Sequence, residues 1–410
     1  MIFLGCDWAE NKHDFVVLDN DALQRDEVRP LLYRVVKHDA RALDLLAAEI
    51  ADIEPDPAEV HVGVERHDGA LMDWLLARGY TVYNINPKSA ERARDRHRPS
   101  GAKSDFYDAL GLADFVRTDR ARLRTIEPDS PLALELRSLL ALRGDLVEQK
   151  TKAMQKLHGL LANRCPALKA LCGDLNRAWQ RHLLMRTPLH RDLAALHGNA
   201  LNALLNKERI STTTAEKIRQ ARHVAPMPIR DELAPVLRLQ IRQLVETVDR
   251  LIAQIGEVEQ AMEDALARHP DTDIFRSLPV RGLNSLAAIL AAFGENRDHP
   301  LTWQVRAMLL GAAPVTAQSG KFRRINRRRG YDHVIHQALL YFTLNTTRVE
   351  GCWARDFYRR KRAEGKTHYA ALRAIMQRWI KILNRMWLDR VPYDEGLHQR
   401  NKQRQTTQAA

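Results

Sequence analysis

Four carboxylates stand where a metal ion could gather them. Asp7 ends the apolar run Ile2–Trp8, Glu65 follows the alternating run Val60–Val64, and Asp105 and Asp108 lie three apart in the segment 103–110, KSDFYDAL. A lone charge at the end of an otherwise apolar strand is costly unless something uses it. A spacing of three places both aspartates on one face of a helix. Carboxylates drawn from two strands and a helix repel one another unless a cation sits between them. Hard oxygen donors suit Mg²⁺ or Mn²⁺, and two such ions about 4 Å apart can clamp the attacking and leaving oxygens of a phosphodiester. Taken singly, each acid is more often a solvated surface residue or a cap, so the information is in the set.

A second cluster offers a nucleophile. Ser319 sits in Gln318-Ser319-Gly320-Lys321, and six of the ten residues 321–330 are basic: Lys321, Arg323, Arg324, Arg327, Arg328 and Arg329. A serine between Gln and Gly is by itself an ordinary turn. The basic run gives it another use, since such a cluster holds a phosphate and neutralises charge as a serine oxygen attacks phosphorus. Serine is a weak nucleophile unaided, so a base or a metal must assist it. Lys88, Arg92, Arg94, Arg96, Arg98 and Lys103 precede Asp105, and Arg359, Arg360, Lys361 and Arg362 follow Trp353, Phe357 and Tyr358. Such mixtures suit phosphate contacts with occasional base stacking, although a solvated helix face explains the second run nearly as well. His333 and His336 have no third ligand at metal spacing and read as structural.

The elements that must carry these residues follow from the hydrophobic pattern. Apolar runs at 2–8, 13–19 and 31–36 predict three strands, and the positions Leu43, Leu46, Ala47 and Ile50 predict a helix. Alternation at Val60, Val62 and Val64 predicts a further strand, a helix at 71–78 is closed by Gly79, and 80–85 makes a strand stopped by Pro87. The order β-β-β-α-β-α-β-α indicates a mixed sheet flanked by helices. After Pro131 the pattern turns helical. Leu136, Leu140, Val147, Met154, Leu157 and Leu161 form a seam interrupted by Arg143 and Lys150. Leu237, Ile241, Leu244, Val248, Leu251, Ile255, Val258, Met262 and Ala265 alternate by four and three, as in a coiled coil formed with the first helix or between subunits. The fold class is therefore α/β plus all-α: a domain at 1–130, a helical coiled-coil region at 131–265, a mainly α domain at 266–398, and a disordered tail at 399–410.

Charge separates these segments. The chain of 410 residues carries a formal +13, yet residues 1–125 hold 18 basic and 23 acidic residues, residues 126–299 hold 24 and 21, and residues 300–404 hold 22 and 7. The net values are −5, +3 and +15, which puts the basicity in the C-terminal quarter. A field of that sign attracts polyanions, with nucleic acid foremost. Four cysteines without CxxC spacing make neither a disulfide framework nor a zinc ribbon. No run of about 18 apolar residues is present, so a soluble cytoplasmic protein without membrane contact is expected.

Gly5-Cys6-Asp7, Gly63-Val64-Glu65 and Lys103-Ser104-Asp105-Phe106-Tyr107-Asp108-Ala109 resemble the Asp, Glu, Asp, Asp quartet of the DEDD insertion-sequence transposases, with Ser104 in place of the usual Thr. The segment 309–314, LLGAAP, and the serine and arginine run after it resemble that family's C-terminal domain. The segment 277–283 resembles the helix-hairpin-helix-like turn that opens it, where backbone N–H groups at a helix start can grip a phosphate; Val280 stands where Gly is usual. The resemblance implies an RNase H-like, RuvC-like N-terminal domain in which Asp7, Glu65, Asp105 and Asp108 hold Mg²⁺ or Mn²⁺. It implies Ser319 as nucleophile in DNA strand cleavage and exchange, donor and target DNA as substrates, and a noncoding bridge RNA as guide. It further implies a dimer or tetramer in which the metal domain of one subunit faces the serine domain of another, in a prokaryotic, nucleoid-associated setting. The residues alone leave two alternatives open: a RuvC-like structure-specific nuclease using metal-activated water, and a non-catalytic nucleic-acid-binding protein.

Overall fold

The computed structural model describes residues 1–21, 29–65, 69–97, 104–126, 130–298, 300–320, 322–326 and 328–397. Its two compact units are Met1–Pro128 and Asp129–Ala410. The tail 399–410 lies outside the described residues.

In the first unit, β1 (Ile2–Trp8), β2 (Lys12–Leu18), β3 (Leu32–Lys37), β4 (Val60–Val64) and β5 (Thr81–Asn84) form one sheet in the order β3-β2-β1-β4-β5. The pairs β1–β2 and β2–β3 are antiparallel, and β1–β4 and β4–β5 are parallel. Parallel neighbours need a crossover, which α1 (Ala40–Ile53) and α2 (Ala70–Ala77) supply. Successive strand residues point to opposite faces, and both faces are covered. Leu4, Cys6, Phe15, Val17, Val62 and Val64 pack with the apolar sides of α1 and α2. Phe3, Val16, Leu18, Tyr83 and Ile85 pack with α3 (Pro87–His97) and α4 (Asp105–Asp119). This three-layer mixed sheet fits the expected RNase H-like class, and the strand and helix order is the one the hydrophobic pattern predicts.

The second unit is almost wholly helical. α5 (Pro131–Arg164) and α11 (Ala234–Arg268) run antiparallel, with Arg268 against Glu135 at 2.6 Å and Arg143 against Glu259 at 2.8 Å. The apolar seam of α11 is thus packed against α5 within the one chain. Arg143 stays on the seam because it is half-buried and ion-paired, while Lys150 reaches Asn176 at 3.2 Å. One expectation is displaced: Val245 is fully buried and Leu244 only partly, because this end of the helix packs against the short helices between α5 and α11 as well as against α5. The short helices α6 (Pro166–Leu171), α7 (Ala178–Arg186), α8 (His190–Ala195), α9 (Gly198–Lys207) and α10 (Thr212–Arg222) share a core with one end of this pair. The other end shares its core with α12 (Thr272–Arg276), α13 (Leu283–Phe293), α14 (Trp303–Leu309), α15 (His333–Thr346), α16 (Trp353–Ala363) and α17 (His368–Asp389). The segments 131–265 and 266–398 therefore belong to one compact unit. Val280, in the turn between α12 and α13, packs half-buried against this core, which gives a side chain at that position a structural use.

A two-stranded hairpin, β6 (Val315–Ser319) with β7 (Phe322–Asn326), projects from the second unit. Its base is fixed by local packing. Gly311 has φ +68° and lies so close to the Tyr331 ring that a Cβ would fall 2.6 Å from it, a position only glycine can occupy. Asp332 N–H donates to the Leu309 carbonyl, and His336 Nδ1 lies 2.8 Å from the Leu310 carbonyl oxygen. His336 is thereby buried and bonded to the backbone beneath the hairpin. No helix among the described residues is long and apolar enough to cross a membrane. All four cysteines are buried and free.

Candidate active site

The topology brings the acids of the first unit together at one end of the sheet. β1 and β4 are parallel, with Gly5 opposite Gly63 and Cys6 opposite Val64, so Asp7 and Glu65 follow at the same C-terminal edge. Residues two apart on a strand share a face, so Asp7 points to the same side as Gly5. A Cβ on Gly5 would fall 1.8 Å from the Ala109 carbonyl oxygen, and one on Gly63 would fall 2.9 Å from that of Leu112. The paired glycines let the backbone of α4 lie directly on the sheet. Its first turn, which carries Asp105 and Asp108, is thus delivered to Asp7.

Ligand oxygens of Asp7, Asp105 and Asp108 lie within 4.8 Å of one another. Glu65 is exposed just past β4 and acts on Asp7 through its charge. Asp7 is half-buried, and desolvation, followed by the charges of Asp108, Asp105, Glu65 and Asp14, pushes its carboxyl up to about 7. Cations near the cluster offset this only in part. Arg94 Nη1 pairs with Asp108 at 2.9 Å, and Lys12 Nζ lies 3.8 Å from Asp105. Three converging carboxylate oxygens with excess negative charge fit a divalent ion held by Asp7, Asp105 and Asp108, with Glu65 beside them.

The basic residues before Asp105 divide. Arg94 is committed to Asp108, and Arg96 lies 3.5 Å from Asp114. Asp114 is almost fully buried. Despite its desolvation, bonds from His97 and Arg117 hold its carboxyl down at about 2. These pairs clamp α3 to α4, a duty that charge counting could not separate from phosphate contact. Arg98 and Lys103 lie outside the described residues.

Ser319 ends β6, all five residues of which are exposed, and pairs across the hairpin with Phe322, which is 65% exposed. Arg324 is exposed on the returning strand, and Arg329 is exposed beyond it. Arg328 is half-buried. Lys321 and Arg327 lie outside the described residues, and Arg323 is placed only by its backbone, opposite Gln318. The hairpin therefore presents a serine among arginines to solvent. The aromatic residues near the later basic run serve otherwise. Trp353 and Phe357 are buried in the core, with Arg360, Lys361 and Arg378 gathered around the Phe357 ring, so neither ring is free to stack on a base.

Sequence reasoning missed Asp14 and Tyr33. Asp14 is the cross-strand partner of Asp7, is 4% exposed, and accepts a 2.7 Å hydrogen bond from the Tyr33 hydroxyl. The signal was present in the alternation of β2, where Asp14 shares a face with Val16 and Leu18.

Residues 4–166, which include the acid cluster, match the family model of the IS110-type DEDD transposases. Residues 272–359, which include the serine hairpin, match that of the IS116/IS110/IS902 transposase family. The chain is 29% identical over 405 residues to the protein assigned as mini-circle transposase for IS117 of Streptomyces coelicolor, covering 96% of this chain and 95% of that one. It is 28% identical over 400 residues to the 42 kDa protein of insertion element IS900 of Mycobacterium paratuberculosis, covering 96% and 97%. With acid cluster and serine hairpin each inside a transposase model, and the likeness running nearly end to end, the chain belongs to the DEDD insertion-sequence transposases, enzymes that act on DNA.

Proposed function

We propose that this transposase cuts and exchanges DNA strands through a phosphoserine link at Ser319, with Mg²⁺ held by Asp7, Glu65, Asp105 and Asp108. The observation that carries the reading is the convergence of Asp7, Asp105 and Asp108 oxygens within 4.8 Å, in a cluster where burial first, and then the neighbouring charges, leave Asp7 hard to ionise without a cation. When bound, a divalent ion supplies charge neutralisation at the scissile phosphate and lowers the pKa of a bound oxygen. The three aspartates fix where it sits, because β1 and α4 are locked by the close approach at Gly5. The Ser319 oxygen forms a bond to phosphorus as one P–O bond to deoxyribose breaks, leaving a phosphoserine and a free hydroxyl end. Arg323, Arg324, Arg327, Arg328 and Arg329, with Lys321, neutralise the pentacoordinate phosphate and grip the flanking backbone. Attack by a second DNA hydroxyl reverses the chemistry and releases the serine. A noncoding bridge RNA that pairs with donor and target DNA supplies sequence choice, and the enzyme works as a dimer or tetramer.

The test is strand exchange by the full chain with its RNA, Mg²⁺ and DNA bearing donor and target sites. Asp108→Asn and Ser319→Ala are each expected to abolish recombinant product. If Ser319→Ala cleaves as well as the parent, the reading gives way to a RuvC-like nuclease that uses metal-activated water. If Asp105→Asn and Asp108→Asn change neither binding nor activity, the acid cluster has no catalytic use.

A further inference from the structure

The five acids whose charges meet at the end of the first unit's sheet include one outside the quartet. Asp14 lies directly opposite Asp7 in the β1–β2 pairing. It shares a sheet face with Val16 and Leu18, the face on which α4 lies, and its charge acts on Asp7. Like charges facing one another across two strands destabilise the pair, and a carboxylate that is 4% exposed pays a desolvation cost as well. A purely structural position would be served better by an apolar or neutral residue of the same shape.

Tyr33 ties this acid to the rest of the site. Its hydroxyl donates to Asp14 Oδ1 at 2.7 Å, and its ring meets Phe106 edge-on at 5.0 Å, the residue next to Asp105 in α4. The bond to Asp14 pushes the tyrosine hydroxyl up to about 12, so it remains a neutral donor across the working range. A single side chain thus joins the strand acids to the helix acids. Among the described residues, Lys12 and Arg94 are cations near the cluster, paired with Asp105 and Asp108.

We propose that Asp14, anchored by Tyr33, is a positioning residue of the cation site: it lends a fifth negative charge to the ion through Asp7 without being a ligand itself. This rests on the reading of Asp7, Asp105 and Asp108 as metal ligands. Its consequence is a trade between two states. Without a cation the Asp7–Asp14 pair repels and destabilises the fold, and with a cation the same charge strengthens binding. A residue with only a structural role would not give opposite signs in the two states.

The experiment is thermal unfolding of the full-length protein in EDTA and across a MnCl₂ titration, for the parent, Asp14→Asn and Tyr33→Phe. Asn at position 14 can still accept the Tyr33 hydroxyl but carries no charge. The expected result for Asp14→Asn is a melting temperature in EDTA above the parent's and a Mn²⁺ affinity about 10-fold weaker. Tyr33→Phe keeps the charge and loses the anchor, and should weaken Mn²⁺ about 3-fold; it decides the matter if Asp14→Asn does not fold. A Mn²⁺ midpoint in both variants within about twofold of the parent's would overturn the proposal. A parent chain that Mn²⁺ does not stabilise at all would instead overturn the metal-site reading on which it rests.

Discussion

The acid cluster and the serine hairpin solve the problem of placing reactive groups in opposite ways. Asp7, Asp105 and Asp108 sit on elements buried on most sides, and their convergence follows from strand register and the close approach of α4 at Gly5 and Gly63. Ser319 stands at the end of a strand with every residue exposed, on a hairpin whose base is fixed by Gly311, Tyr331 and His336. Preorganised charge is needed where an ion must be held against mutual repulsion. An exposed hairpin suits a nucleophile that must reach a large polyanionic substrate and let it go again. One region concentrates negative charge and the other positive, and the proposed chemistry of each depends on that sign.

This contrast can be broken in graded ways. Asp7→Asn should reduce strand cleavage by about 10³-fold or more, while raising the melting temperature in EDTA because a repelled carboxylate is gone. Ser319→Ala should reduce recombination as severely but leave Mn²⁺-dependent stabilisation unchanged, which separates the two regions in one calorimeter. Arg324→Gln should weaken DNA binding and lower the slope of log affinity against log salt by about 1, with Mn²⁺ affinity unaltered. Arg94→Gln should do the reverse. By freeing Asp108 of a competing cation it should tighten Mn²⁺ about threefold and leave the salt slope of DNA binding as it was. The smallest effect concerns pH. The Asp7 carboxyl is raised in the folded state, so its ionisation opposes folding. The metal-free protein should lose stability as pH rises from about 4, the ordinary carboxylate value, through about 7, and saturating Mg²⁺ should remove that loss. Thermal melts at pH 5 and pH 8, with and without the ion, measure it.

The legible parts of the sequence were those in which spacing dictates geometry. Period two placed Val60, Val62 and Val64 on one strand face, and the acids at the ends of β1 and β4 followed from that. A separation of three put Asp105 and Asp108 together in one helical turn. Asp14 escaped because it stands inside the run HDFVVL, where a charge reads as an interruption until the pairing with Asp7 is known. Arg94 and Arg96 looked like phosphate contacts because composition counts charges and does not name their partners, here Asp108 and Asp114. Trp353 and Phe357 looked available for stacking on bases, yet they fill the core of the second unit. The exchange of Val245 for Leu244 on the long helix follows from the short helices that pack on that end of it, neighbours that a heptad pattern does not name.

The proposed reaction turns on a covalent bond between DNA and one side chain. Full-length protein, guide RNA, Mg²⁺ and a labelled DNA site should be quenched during the reaction, resolved on a denaturing gel, and the shifted band digested for mass spectrometry. A nucleotide attached to the peptide containing Ser319, absent without Mg²⁺ and absent from Ser319→Ala, is the predicted result. Efficient Mg²⁺-dependent cleavage with no such adduct, undiminished in Ser319→Ala, would contradict it.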